Sequence, residues 1–204
     1  QPTMPAMARD PVKTARRASL RARRRDLAAA RDTARDDHDL AGHVGALVDT
    51  LGLGPGSVVT SYASIPGEPP TARLNAMLAE RGIRVLLPIT LPDLDLDWHD
   101  AADPGEQPLG RESVAAVDLI LAPGLSVDHS GTRMGQGGGC YDRALTRCDP
   151  RPPTVVLLHP GELVAVDDAP LPREPHDRGV DAVLTAEGLV DLGLSPWSSP
   201  RGAG

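Results

Sequence analysis

The chemistry most directly readable in this chain lies in thirteen consecutive residues, Gly131-Thr132-Arg133-Met134-Gly135-Gln136-Gly137-Gly138-Gly139-Cys140-Tyr141-Asp142-Arg143. Five of them are glycine. Glycine tolerates positive φ and lets a ligand approach the backbone closely. Consecutive N–H groups in such a loop form a concavity for anions. A helix starting near Tyr141 would add its positive end. Arg133 and Arg143 offer charge to phosphates, and Asp142 offers a hard oxygen to magnesium. These features read together as a phosphate cradle. A flexible linker is the plainer alternative, but linkers rarely embed Arg, Tyr and Asp in this way. No Lys-Ser/Thr follows, so this is not a Walker A loop, and Cys140 stands where a dinucleotide fingerprint needs its third glycine.

A second set of cations precedes it. Lys13 to Arg25 holds seven basic residues. Lys13 and Arg17 are four apart, on one side of a helix, and can reach one polyphosphate. Arg16, Arg21, Arg23, Arg24 and Arg25 are scattered around the helix and read as solvating it. Glu68, at a strand end, can accept hydrogen bonds from an amide or amidine edge. Asp177, after His176, is a plausible second magnesium acid or a plain turn residue. Asp93, Asp95 and Asp97 lack the glycine and distal glutamate of a calcium loop, and their spacing suggests the wet face of an edge strand. His159 ends a strand and is assigned no role. No Ser/His/Asp set and no Cys/His metal cluster stands out. Chemistry would therefore come from positioning and electrostatics, as in phosphoryl transfer.

The elements that must hold these groups alternate. Residues 12–49 read as helical. Short apolar strands are expected at Ser57–Ala63, Ile83–Leu87, Val117–Leu121, Thr154–Leu158 and Val180–Leu184. A helix opened by Pro69-Pro70-Thr71 carries Leu74, Met77 and Leu78 at helical spacing and ends at Gly82. The stretch 99–112 is polar and reads as a loop. Continuous apolar strands between helices argue a three-layer α/β/α domain with a mostly parallel sheet. Ligands of such sheets bind beyond the carboxyl ends of the strands.

A length of 204 residues suits one such domain. It is expected over 12–190, with 1–11 and 195–204 as disordered tails. A net charge of −7 argues against wholesale nucleic-acid binding. No apolar run reaches the roughly 18 residues of a membrane span, and no signal-peptide stretch opens the chain. Cys140 and Cys148 are spaced too far apart for a disulfide if the segment is helical. A reducing, cytoplasmic location fits, and a monomer is expected. Aromatics make up 2% of the chain, so the core must be aliphatic. Ring stacking could come only from Tyr62, Tyr141, Trp98 or Trp197.

In order, Lys13-x-x-x-Arg17, Tyr62-x-x-x-x-x-Glu68-x-x-Thr71, Val117-Asp118-Leu119-Ile120-Leu121-Ala122-Pro123-Gly124-Leu125, the glycine segment through Tyr141-Asp142-Arg143, His176-Asp177 and Val180 to Thr185 form one pattern. It resembles the 5-formyltetrahydrofolate cyclo-ligases, also called methenyltetrahydrofolate synthetases, over roughly Lys13 to Thr185. The resemblance implies an enzyme that uses ATP and Mg2+ to convert 5-formyltetrahydrofolate to 5,10-methenyltetrahydrofolate, releasing ADP and phosphate. It implies Lys13, Arg17 and Arg133 as catalytic cations. ATP would meet Lys13, Thr14, Ala15, Arg16 and Arg17, then Arg133, Met134, Gly135, Gln136, Gly137, Gly138, Gly139, Cys140 and Tyr141. Ala63 and Glu68 would bind the reduced folate, and Asp142 and Asp177 the metal. Where the family has an aromatic-Gly-x-x-Glu-Pro segment, this chain has Leu109-Gly110-Arg111-Glu112-Ser113, and Trp98 is the candidate to supply a ring instead. Two other readings stay open: an ATP-using relative acting on a different formyl or carboxyl compound, and a non-catalytic nucleotide-binding module.

Overall fold

The computed structural model describes residues 10–175 and 177–193. Helix α1 (Pro11–Ala29) begins where the Asp10 side chain accepts from Val12 N at 2.8 Å, with Pro11 in the first turn. Residues 10 and 11 thus belong to the fold and not to a tail. His176, Trp197 and the stretch 195–204 lie outside the described residues, as does 1–9.

The expected helix over 12–49 is two helices. Asp32 caps the second, α2 (Thr33–Thr50), by accepting from Ala34 N and Arg35 N, each at 3.1 Å. A side chain that satisfies the orphan donors of a new first turn starts a helix, so the chain turns at residues 30–32.

Then follow β1 (Val58–Thr60), α3 (Ala72–Glu80), β2 (Arg84–Thr90), β3 (Leu96–Asp100), a 3-10 turn (Arg111–Ala116) and β4 (Leu119–Pro123). After them come β5 (Ser126–Val127), β6 (Arg133–Met134), α4 (Cys140–Leu145), β7 (Thr154–Leu157), β8 (Ala182–Thr185) and β9 (Gly188–Asp191). The main sheet has seven strands in the order β3-β2-β1-β4-β7-β8-β9. β2, β1, β4, β7 and β8 run parallel. β3 and β9 close the edges antiparallel. The five expected strands are all present with shifted ends, and the loop expected from residue 99 starts only after Asp100.

Alternate residues of the parallel strands enter opposite cores. Val59, Val85, Leu119, Leu121, Val155 and Leu157 pack with α2 and α3. Leu86, Ile120 and Ala122 pack with α4, the 3-10 turn and Trp98. This is the expected three-layer α/β/α arrangement. α1 stands apart from it. Its Leu20 packs with Leu125, Met134, Val164 and Leu171, and polar contacts of Lys13, Arg21 and Arg24 hold it as well.

Asp95 departs from its sequence reading. Asp93 and Asp95 precede the edge strand, and Asp95 is buried. It accepts from Arg147 Nη1 at 3.0 Å and from Arg111 Nη1 at 2.9 Å. Two guanidinium groups compensate the buried carboxylate, so it faces inward and not water.

Candidate active site

Strand order reverses between β1 and β4, since β2 lies on one side of β1 and β7 on the far side of β4. A crevice opens at such a switch point, beyond the carboxyl ends of the strands. Here it is a cavity of about 460 Å³. The loop after β1 supplies Tyr62, Ala63 and Glu68, and the exit of β4 supplies Pro123 and Gly124. α1 lends Lys13, Arg17 and Arg24, the glycine loop 135–139 forms one wall, and Asp142 and Asp177 also line it.

The glycine loop is aimed by the hairpin before it. Leu125 N donates to Met134 O at 2.7 Å. At the hairpin tip, buried Asp128 accepts through Oδ1 from Ser130 N and Thr132 N, both at 3.0 Å, and through Oδ2 from Leu171 N at 2.9 Å. Burial pushes the Asp128 carboxyl up, but the Ser130 hydroxyl and these backbone donors outweigh it and hold it below its usual value. Past the hairpin, Gly137 has φ +108° and Gly139, the N-cap of α4, has φ +66°. A Cβ on Gly137 would also stand 3.3 Å from Arg17 Nε, so a side chain there would crowd the cation.

Of the cations, Arg133 Nη2 donates to Asp142 Oδ2 at 3.1 Å, and its guanidinium lies 5.6 Å over the Tyr141 ring. Lys13 is buried, with Nζ 2.7 Å from both Glu174 Oε2 and Asp177 Oδ2. Burial lowers its pKa, but hydrogen bonds and charge from Asp177 and Glu174 prevail and leave it raised. The ammonium therefore stays charged. Arg17 lines the cavity, and its Nε is buried with no hydrogen-bond partner among the described residues. Thr14, Ala15 and Arg16 lie on the same turn of α1 but do not line the cavity. Arg143, expected on phosphate, donates to the backbone oxygens of Leu94 and Gly138 and ties the β2–β3 turn to the glycine loop.

Two arginines read as solvating have partners in the fold. Arg21 donates to Gln136 Oε1 at 2.9 Å and to Gln136 O at 2.8 Å, fastening the glycine loop to α1. Arg24 is buried and donates to Glu162 Oε1 and Oε2 at 2.6 Å each, and to Gly124 O. Glu162 Oε2 also accepts from His159 N at 2.8 Å, and His159 Nε2 lies 3.1 Å from Gly67 O, next to Glu68. Glu162 and Glu174 escaped the sequence reading, and His159 was given no role in it, because no local spacing marks a partner so far along the chain.

Asp142 and Asp177 reach the same cavity from α4 and from the loop before β8. Asp142 Oδ1 accepts from Arg178 N at 3.1 Å, and Asp177 Oδ2 from Glu174 N at 2.7 Å. Among the described residues no group of three or more His, Cys, Asp or Glu side chains could hold a metal ion. One or two carboxylates completed by substrate phosphates is nonetheless the usual protein share of a magnesium site. The donor chemistry of this pair fits that ion.

Glu68 also lines the cavity, and its Oε2 accepts from Ile65 N at 3.2 Å. Tyr62 and Tyr141 border the same space and are buried. Trp98 is not available as the substitute ring. It is fully buried beneath the site, with its ring edge-on to Tyr141 at 6.3 Å between centroids. Leu109 to Ser113 also lie away from the cavity. Leu109 N donates to Trp98 O at 2.8 Å, and Gly110 N to Asp97 Oδ1 at 2.8 Å.

The sequence pattern of the 5-formyltetrahydrofolate cyclo-ligase family matches residues 9–186. This chain belongs to that family. The cyclo-ligase match spans α1, the Glu68 loop, the glycine loop and Asp177. A 5-formyltetrahydrofolate cyclo-ligase of Mycolicibacterium smegmatis is 36% identical over 155 residues, covering 67% of this chain and 78% of that one. Another from Mus musculus is 37% identical over 100 residues, covering 46% of each chain. Among solved structures, a 5,10-methenyltetrahydrofolate synthetase from Mycoplasma pneumoniae aligns with a TM-score of 0.69 at 17% identity, covering 85% of this chain and 98% of that one. The synthetase from Aquifex aeolicus gives 0.67 at 19% identity, covering 95% and 96%. At such identities these two structures speak for the fold alone. No helix among the described residues is long and apolar enough to cross a membrane.

Proposed function

We propose that this chain is an ATP-dependent 5-formyltetrahydrofolate cyclo-ligase. Family membership supports the reaction. The observation that carries it to particular residues is the single cavity of about 460 Å³, which gathers the glycine loop, the α1 cations, two acids and the Glu68 loop.

The difficulty in this reaction is that an amide-like formyl oxygen is a weak nucleophile and a poor leaving group. Transfer of the γ-phosphoryl group to that oxygen makes the formyl carbon electrophilic. The neighbouring folate nitrogen, N10, then attacks that carbon. The carbon–oxygen bond breaks, phosphate leaves with the former formyl oxygen, and N10 loses its proton as the five-membered ring closes.

The protein's part is to align and to neutralise. The N–H groups of the glycine loop and the guanidinium of Arg17 face the triphosphate. Arg133, fixed over Tyr141, stands between nucleotide and folate, where it stabilises the transferring group. Lys13 moves its charge from the Glu174–Asp177 pair to phosphate. Glu68 takes the amidine edge of the pterin, with Ala63 beside it. Asp142 and Asp177 are the residues that would hold magnesium, which when bound neutralises phosphate charge. The working unit is taken to be one domain, the expected span 12–190 extended to Asp10 and Asp191, acting as a monomer in the cytoplasm.

The direct test is to supply purified protein with ATP, magnesium and 5-formyltetrahydrofolate and to follow the absorbance of 5,10-methenyltetrahydrofolate. Product should accumulate in proportion to enzyme and only with ATP. Absence of product at high enzyme concentration would defeat the reading.

A further inference from the structure

Eight side-chain nitrogen or oxygen atoms among the described residues are buried without a hydrogen-bond partner. Four belong to residues lining the cavity, namely Arg17 Nε, Arg133 Nε, Tyr62 Oη and Tyr141 Oη. They sort by charge. The cationic pair belongs to the glycine-loop end, since Arg17 lies against Gly137 and Arg133 is in β6 just ahead of the loop. The neutral pair needs another explanation. A buried hydroxyl left unpaired costs about 1–3 kcal/mol, and phenylalanine would avoid that cost at either position.

Tyr62 is the more telling of the two. Its backbone oxygen is pinned twice, by Thr71 Oγ1 at 2.6 Å and Asn75 Nδ2 at 3.1 Å. The opening turn of α3 thus fixes where the ring sits, and its 4% exposure leaves the ring little freedom. Everything about the residue is held except the hydroxyl, and that residue opens the loop carrying Glu68. Burial first, then the charge of Glu68, hold the Tyr62 phenol well above its usual pKa. The group stays protonated and can donate. Glu68, a carboxylate, can only accept.

Both residues line the same cavity, one offering a donor and the other an acceptor, a pattern that a ligand can match. The ring edge of a reduced folate carries an amino group and a ring N–H, followed by a ring carbonyl. The first two suit Glu68, and the third asks for a donor. We propose that Tyr62 Oη donates a hydrogen bond to the ring carbonyl of the folate while Glu68 accepts from the adjoining amino and N–H groups. The assignment rests on the cyclo-ligase reading and adds a second anchor to it. Tyr62 is a binding and orienting residue, because it touches the substrate's ring and not the formyl group.

The test is Tyr62→Phe, which removes one oxygen and keeps the ring. Calorimetry would be run with 5-formyltetrahydrofolate, with a non-hydrolysable ATP analogue, and with a reduced folate analogue lacking the ring carbonyl. The variant should bind 5-formyltetrahydrofolate about three- to tenfold more weakly, the worth of one hydrogen bond. Its ATP-analogue affinity and its melting temperature should not fall. The carbonyl-free analogue should bind both proteins alike. Unchanged folate affinity in the variant overturns the assignment, as does equal weakening toward folate and nucleotide, or an equal penalty with the carbonyl-free analogue. Wild-type protein separates the two levels of the claim. If it fails to bind 5-formyltetrahydrofolate, the cyclo-ligase reading falls and takes this inference with it. If it binds and the variant is indifferent, only the role of Tyr62 is lost.

Discussion

Lys13 Nζ lies 2.7 Å from Asp177 Oδ2, so the cation proposed for phosphate and the carboxylate proposed for magnesium neutralise each other. Glu174 shares the same ammonium at 2.7 Å. On the proposed reading, a nucleotide bound with magnesium would draw Lys13 to its phosphates and leave Asp177 to the metal. Lys13→Met should lower kcat/KM for ATP by about 100- to 1000-fold, the scale of losing one preorganised charge-stabilising donor. Steady-state kinetics over a range of ATP would show it. A drop in melting temperature with normal ATP kinetics would reduce Lys13 to a structural strut.

Asp142 accepts from Arg133 Nη2 and from Arg178 N. Asp142→Ala removes the carboxylate proposed to hold magnesium and frees Arg133 at once. Turnover should fall by two orders of magnitude or more, about 3 kcal/mol, and higher magnesium should recover part of it. Full turnover at low magnesium would show that Asp142 holds no metal.

Glu68→Gln keeps the shape of the residue and loses its charge. Folate affinity should weaken about tenfold or more, since hydrogen bonds to a charged group are worth about 1.5–3 kcal/mol. ATP affinity should stay put. An equal effect on both ligands, read by calorimetry, would remove Glu68 from the folate end.

Arg24 and Glu162 form a buried ion pair with two contacts of 2.6 Å. Removing one partner strands the other charge, at a cost of about 3–5 kcal/mol. Arg24→Met should lower the urea midpoint accordingly. The double variant Arg24→Met with Glu162→Leu should regain most of the loss, because no charge is then left uncompensated. A single variant as stable as wild type would show that the pair is solvated after all.

Acid should loosen the hairpin that aims the glycine loop. Hydrogen bonds from Arg147 lead in holding Asp95 below its ordinary value of 3.8, while Asp128 is held below 3.8 by its Ser130 and backbone donors against its burial. A depressed folded-state pKa contributes stability that is complete above the unfolded value and is lost as pH falls through the folded one. Melting temperature should therefore be insensitive to these groups near neutrality and decline below about pH 4. Asp128→Asn should lower it at pH 7 and flatten part of the acid decline. An unaltered acid limb would clear Asp128 of this role.

Local sequence was enough for the groups whose job is set by their own backbone. The parallel strands announce themselves as apolar runs, because both faces of each are covered. The glycine loop does so because glycine supplies the positive φ of Gly137 and Gly139 without steric cost. That Lys13 and Arg17 share one side of α1 was legible from helical spacing, and both line the cavity.

What lay beyond the sequence was the fate of charges and rings whose partners are distant. Arg24 looked like one more solvated arginine until the fold placed Glu162, 138 positions away, against it. Asp95 looked wet until Arg147, 52 positions on, turned it inward. Trp98 looked free to stack on a ligand, and the sheet buried it behind Tyr141. Propensity and periodicity act over a few residues, whereas desolvation is decided by whatever packs on top. The composition of the loops was thus written in the chain, and the choice of which polar atoms remain unspent in the cavity was made by tertiary packing.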